Sequence, residues 1–290
     1  MTMGNLREMK KRLRSINTTE QLSGAMKTVA AAKYSQISAI LERYRPYRDA
    51  VLQIVDSFGD ALTGAMKCGD TASPPCYVVI SSNKGLCGGY NTELFTYADR
   101  LLEAYGGEYK LVVCGKLAAA YYSLGEHRAD KSFVLPDIPD YSECCALIDY
   151  LTDEYINGGI SSVTFIYQSF RNMLTQVPAE HKVLPFSSGK SGSDEYDGTI
   201  YIPSRASVLR ETCRSCVYAT MYSIMIEAAA GAQAATLMAM RAAYDNAAET
   251  ALDLQMQISR KRQSEVTASV IETSSDNSEM NVFSNNTNGG

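Results

Sequence analysis

The residues Ser82-Asn83-Lys84-Gly85-Leu86-Cys87-Gly88-Gly89-Tyr90-Asn91 follow a β-branched run and precede a helical stretch, where a glycine-rich loop can cradle phosphate on its backbone N–H groups. The segment has neither GxGxxG spacing nor a phosphate-binding lysine followed by Ser or Thr, so it also reads as a tight strand-to-helix turn. Gly189-Lys190-Ser191 has the tail of a P-loop, but Leu184 stands where the first glycine belongs, and the surroundings are a polar loop. That match is coincidence. Cys213 and Cys216 lie three apart on one helical face, with no second CxxC pair and with His127 and His181 in unrelated places. Zinc takes four ligands, so these thiols read as small apolar core residues. No nucleophile stands with a base and an orienting group. The sequence offers no catalytic, cofactor or metal site.

The elements that would position such groups are alternating strands and helices. CYVVISS (76–82), YKLVVCG (109–115) and SSVTFIYQ (161–168) read as buried strands, with helices at 91–105 and 141–156 between them. This order predicts a βαβ sheet, parallel at its centre. Residues 173–183 and 199–202 read as later edge strands bracketing the polar loop 187–198.

The two ends of the chain have a different rhythm. Leu6, Met9, Leu13 and Ile16, then Ile37, Ile40, Tyr44, Tyr47, Val51, Ile54 and Phe58, step by three and four, the heptad pattern of a coiled coil. A second seam, roughly 206–272, steps Val217, Met221, Ile224, Ala228, Gly231, Ala235, Met238, Ala242 and contains no proline. A continuous helix of that length reaches ~100 Å, too long for the core of a small domain, so it must project and pair with the first. The expected fold class is therefore α/β: a long antiparallel coiled coil of N- and C-terminal helices with an inserted Rossmann-like α/β domain. The expected divisions are 1–58, 59–205 and 206–273, followed by an Asn/Ser-rich tail, 274–290, read as disordered.

Composition sets further bounds. With 290 residues, 46% hydrophobic and 20% charged, the chain has the profile of a soluble globular protein. No apolar run reaches the ~18 residues of a transmembrane helix, and the basic amphipathic N-terminus is unlike a signal peptide. The chain reads as cytoplasmic, and its eight cysteines as thiols. The net charge of −5 hides an asymmetry: residues 1–58 hold ten Lys/Arg against five Asp/Glu, whereas 59–205 hold eleven against eighteen. The basic arm suits an acidic protein surface or a solvated helix face better than nucleic acid, because no reading motif or interleaved aromatics accompany it.

Three separated segments, in order, carry a resemblance. LREMKKRLRSINTTEQLSGAMKTVAAAK (6–33), SSNKGLCGGYN (81–91), and AAGAQAATLMAMRAAYDNAAE (229–249) with RKRQSEVT (260–267) make the chain resemble the gamma subunit of bacterial-type F-type ATP synthases over about 3–273. The resemblance implies a non-catalytic rotor shaft standing in a ring of alpha and beta subunits. The epsilon subunit and the c-subunit ring meet its α/β domain, and the complex is peripheral on the cytoplasmic face of the cell membrane. Catalytic sites would belong to beta, and no cofactor is implied. The acidic loops of beta would then meet the basic arm.

Carried over by position, the resemblance implies that Met26 and Lys27 face the beta subunits, and that Arg260, Arg262, Gln263 and Thr267 make polar contacts with beta loops. Pro46 is expected to kink the first helix. The chain departs from the family pattern at Gly24, where lysine is usual, at Ala232 and Thr236, where Glu and Arg are common, and at Ser269, where glutamate is usual. The polar Thr273-Ser274-Ser275-Asp276 also replaces an apolar tip. The alternative from another class is an α/β enzyme of nucleotide or sugar-phosphate metabolism with a helical oligomerisation arm and its site at 82–91.

Overall fold

The computed structural model describes residues 2–57, 73–185 and 201–286, with side chains over 6–55, 73–185 and 201–271. Cys68, Phe58, the loop 187–198 and Gly189-Lys190-Ser191 lie outside the described residues, as do 199 and 200 of the expected last strand. Tyr201 and Ile202 are not in a strand. The elements in chain order are α1 Thr2–Ser57, β1 Cys76–Ile80, α2 Tyr90–Tyr105, β2 Lys110–Cys114, α3 Lys116–Tyr121, β3 Lys131–Phe133, α4 Tyr141–Ile156, β4 Val163–Asn172, β5 Thr175–Leu184 and α5 Arg205–Asn286.

The sheet has the order β3-β2-β1-β4-β5, parallel throughout except for the β4–β5 hairpin. Successive residues of the central strands point to opposite faces, and both faces are covered, so the strands read as unbroken apolar runs. Val78, Val112 and Phe165 face α4 and α5, packing with Leu147, Leu151, Met221 and Met225. Val79, Val113 and Ile166 face α2 and α3, packing with Leu94, Phe95, Leu102 and Ala118. Each fully buried Leu or Ile here contributes roughly 1.5–3 kcal/mol relative to exposure. The helix boundaries have local causes. The Asp140 carboxylate accepts from Ser142 N at the start of α4, and Gly106 takes φ 63° at the end of α2, its N–H bonded to Leu102 O.

The chain divides into two compact units, Met1–Met26 with Met240–Gly290 and Lys27–Ala239. Residues 27–57 and 205–239 group with the sheet in the larger unit. In the larger unit, Val51 and Val55 pack with Leu209, Cys213 and Cys216. Further back along α1, Arg48 Nη1 donates to Ser223 Oγ at 3.1 Å and Tyr44 meets Tyr222 edge-on at 4.9 Å. In the smaller unit, Gly24 lies against Tyr244, and Asn17 and Gln21 share a groove with Ala248, Ala251 and Gln255. Within each unit α1 numbers fall as α5 numbers rise, so the helices run antiparallel.

Two expectations need correction. Beyond Ile37 the buried positions of α1 are Ile37, Leu41, Val51 and Val55, whereas Tyr47 is 52% and Ile54 49% exposed. Ile37, Tyr44 and Val51 keep their expected places, but Leu41, Arg48 and Val55 turn further inward than Ile40, Tyr47 and Ile54, because α1 must here face the sheet core as well as α5. The tail is also not a break: α5 continues as helix through Asn286. No Gly or Pro occurs between Gly231 and Gly289, so the chain contains no residue that forces an end at 273. Pro46 sits inside α1, which continues on both sides of it.

Candidate functional site

In an open α/β sheet, ligands bind beyond the carboxyl ends of the strands, at the point where strand order reverses. Here that point lies between β1 and β4, and the segment 82–91 stands directly above it. Ser82, Cys87 and Asn91 bond one another within it. Ser82 N donates to Asn91 Oδ1 at 3.1 Å, and Asn91 Nδ2 donates to Ser82 Oγ at 2.8 Å and lies 3.0 Å from Cys87 Sγ. Gly88 takes φ 60°, which lets the chain turn back into α2. Beside it Gly115 takes φ 104°, and a Cβ there would lie 2.4 Å from Ser81 O. That close approach frees Ser81 Oγ to accept from Ala118 N at 2.8 Å.

The crevice itself is filled by α5. The Tyr90 hydroxyl donates to Ala228 O at 2.8 Å, and Gln168 Nε2 donates to Tyr90 O at 2.9 Å. Burial, with lesser contributions from Cys87 and Glu227, pushes the Tyr90 phenol far above its ordinary value, so it stays a donor. Glu227 accepts from Ser169 Oγ at 3.0 Å and Phe170 N at 2.9 Å, tying α5 to the end of β4. Gly231 faces Tyr90, Gln176 and Gln168, and a Cβ there would make ordinary contact at 3.4–3.6 Å with all three. On the β1–β2 side, where Gly115, Leu135, Asp137, Met225 and Ala232 surround the strand ends, a cavity of about 50 Å³ remains, far below the ~300–1,000 Å³ of a small-molecule pocket. The loop 82–91 is a turn, as one reading of the sequence has it, and its additional work is to grip a helix.

The remaining candidate groups are separated. Cys213 and Cys216 are 2% and 1% exposed in an apolar cluster. His127 Nδ1 lies 2.6 Å from the Tyr109 hydroxyl, while His181 stands opposite Phe165 in the β4–β5 hairpin. Among the described residues, no three His, Cys, Asp or Glu side chains come together as a metal site.

Met26 and Lys27 are half-buried on α1, and Arg260, Arg262, Gln263 and Thr267 are exposed on α5. At 3.6 residues per turn Arg260, Gln263 and Thr267 share one strip of the helix, whereas Arg262 points to the other side. The Thr267 hydroxyl donates to Gln263 O at 2.9 Å, leaving it only acceptor capacity outward. Sequence reasoning missed a set of exposed apolar side chains beside these residues: Leu22 at 60%, Leu252 at 62%, Met256 at 53%, Val266 at 57% and Val270 at 61%. Sequence stepping hid them, because Leu252, Met256, Val266 and Val270 fall on the continuation of the expected seam, whereas the buried residues there are Ala251 and Leu254.

A family model described as ATP synthase matches residues 5–275. An ATP synthase gamma chain from Moorella thermoacetica is 30% identical over 274 residues, covering 93% of this chain and 97% of its own length. The chain belongs to the ATP synthase gamma-chain family. Another member, from Desulforudis audaxviator, is 29% identical over 287 residues with the same coverage. Among solved structures, a chain of the Euglena gracilis mitochondrial ATP synthase (OSCP/F1/c-ring, rotational state 3) has TM-score 0.69 at 16% identity. The match covers 97% of this chain and 96% of that one. A chain of the Tetrahymena thermophila mitochondrial ATP synthase central stalk and c-ring has TM-score 0.61 at 21% identity, covering 77% of this chain and 99% of that one. These two likenesses establish a shared fold.

Proposed function

We propose that this chain is the central rotor shaft of a membrane-bound F-type ATP synthase. It couples ion translocation to ATP synthesis or hydrolysis at the beta subunits and is itself non-catalytic. The observation that carries this reading is the occupant of the strand-order crevice. In a gamma-family chain, the place where an α/β enzyme would hold its ligand is filled by Tyr90, Ala228 and Gly231, which fasten a long helix to the sheet. A part that connects two machines needs that fastening, and an enzyme needs the pocket. The rival reading, a nucleotide or sugar-phosphate enzyme with its site at 82–91, has no support from this geometry.

The partners in this proposal are the alpha and beta subunits around the helix pair, the epsilon subunit and the c-subunit ring against the α/β unit, and no nucleic acid. The complex is peripheral on the cytoplasmic face of the cell membrane. Exposed Arg7, Lys10, Lys11 and Arg14 on α1 supply the basic face that acidic beta loops would meet. Met26, Lys27, Arg260, Arg262, Gln263 and Thr267 are the proposed beta contacts. Co-purification from native membranes, with identification of the associated chains, is the test. Recovery with alpha, beta, epsilon and c subunits is expected. A chain that purifies alone and turns over ATP by itself, with turnover lost in Lys84→Ala, sinks the rotor reading.

A further inference from the structure

The two helices are tied to the sheet in different ways. α5 is wrapped: Ile224, Met225, Ile226, Ala228 and Ala230 are all buried, and Tyr90 and Glu227 bond it to loop and strand. α1 is buried along one stripe, where Ile37 and Leu41 join the core. Turning α1 far about its axis would expose that stripe, but apolar contact is non-directional and opposes small rotations only weakly. A charge-assisted hydrogen bond is directional and does oppose it.

One such bond joins α1 to the sheet rim. Lys33 Nζ donates to Asp137 Oδ2 at 2.5 Å, with the two side chains 27% and 20% exposed. Asp137 lies between β3 and α4, and its other oxygen accepts from Asn83 Nδ2 at 3.2 Å. Asn83 also donates to Leu135 O at 2.6 Å and accepts from Lys116 N at 3.2 Å. Lys84 Nζ stands 3.9 Å from the oxygen that Lys33 uses. One carboxylate therefore gathers α1, the turn after β1, the start of α3 and the segment after β3. Asn83 and Lys84 belong to the stretch that looked like a phosphate loop, and their polar groups serve this junction.

We infer that Asp137 is a positioning residue for torque transfer, locking the rotation of α1 to the α/β sheet so that twist applied to one is delivered to the other. The inference rests on the rotor reading. Under load the apolar stripe tolerates small rotations, and the Lys33–Asp137 bond opposes them at the sheet rim, as the Arg48–Ser223 bond does toward α5.

The test uses inside-out membrane vesicles carrying the whole complex, with ions pumped per ATP hydrolysed measured against an increasing opposing gradient. Subunit content is quantified in the same vesicles. In Asp137→Asn the complex is expected to assemble and hydrolyse ATP, yet to pump at least two-fold fewer ions per ATP near the native stalling gradient. Lys33→Gln should behave alike, the double variant no worse than either, and Asp137→Glu should recover most of the loss. An assembled Asp137→Asn complex with the native ratio at every gradient overturns the inference. So does a fall that Lys33→Gln fails to reproduce, or a lower subunit content with an unchanged ratio, which marks a purely structural bond. Failure of native vesicles to contain this chain in a pumping complex is a separate result, and it overturns the rotor reading itself.

Discussion

Gly24 and Tyr244 form a hole and its filling: a Cβ on Gly24 would lie 3.2 Å from both Cδ2 and Cε2 of the Tyr244 ring. A glycine inside a helix costs about 1 kcal/mol relative to alanine. Here the missing side chain is what admits the ring between α1 and α5. Gly24→Ala should therefore give little net gain in stability, because the propensity gain is offset by a displaced ring. In a Tyr244→Ala background the same substitution should stabilise by about 1 kcal/mol. A double-mutant cycle by denaturant unfolding measures the difference, and equal gains in both backgrounds would refute the steric account.

Gly115 is constrained more severely. Its φ of 104° and the 2.4 Å approach of a Cβ to Ser81 O leave no route for accommodation, since the obstructing atom is backbone in β1's continuation. Gly115→Ala should cost ~3 kcal/mol or more. Thermal unfolding of the purified chain provides the measurement.

Acid should weaken the Asp137 junction within a defined window. Burial alone would raise its carboxyl, but hydrogen bonds from Lys33 and Asn83 and the nearby ammonium groups outweigh that and hold it below the ordinary 3.8. A depressed carboxylate contributes stability that is fully present above the unfolded value and lost as pH falls through the lower folded one. The Tm difference between native chain and Asp137→Asn should be constant from neutrality to about pH 5 and shrink below about pH 4. A difference that instead grows on acidification contradicts this assignment.

Burial pushes the thiols of Cys76, Cys114 and Cys144 from 9.0 up to about 12. Thiolate is the reactive form, so a shift of this size lowers its population about a thousand-fold. Alkylation of native protein at neutral pH should leave these three unmodified until unfolding, while partly exposed Cys145 reacts ahead of them. Mass mapping of the labelled sites decides the matter.

The proposed beta contacts on α5 predict a phenotype without a folding defect. Guanidinium hydrogen bonds to carbonyls or carboxylates contribute about 1.5–3 kcal/mol each. Arg262→Ala with Gln263→Ala should leave the chain folded and assembled but lower coupled ATP turnover, whereas deletion of 277–290 should matter little. Normal turnover in the double variant, together with loss of activity on deletion, would place the contact surface at the other end of this stretch.

Much of the sheet was legible because its strands are buried on both faces and announce themselves as β-branched runs. α4 was legible to the residue, since Asp140 caps its start and Asn157-Gly158 ends it. β3 was not, because three residues are too few to show a period. The β4–β5 turn lacks a glycine signal, and Asn172 Oδ1 makes it instead by accepting from Leu174 N and Thr175 N. α5 hid its surroundings between Cys216 and Ala234: a stretch of helix buried on nearly every side has no polar face to mark orientation. Leu6, Met9, Leu13 and Ile16, all half-buried, kept the expected seam, whereas after Ile37 a second neighbour moved it. The Lys33–Asp137 pair left no local trace, because its partners are 104 residues apart.

The same wrapping of α5 has a consequence for biosynthesis. One core joins Ile37 and Leu41 from near the N-terminus, strand residues such as Val78 and Phe165, and Met221 through Ala230. A chain emerging from the ribosome therefore completes its sheet without the helix that covers one face and fills its rim. Until Met221 through Ala230 have been made, Val78, Val112 and Phe165 have only part of their cover, from Leu147 and Leu151 of α4, and the rest of that face is open to solvent or a chaperone. The domain in the middle of the sequence is thus among the last parts to close, and translation past Ala230 is the event that permits it.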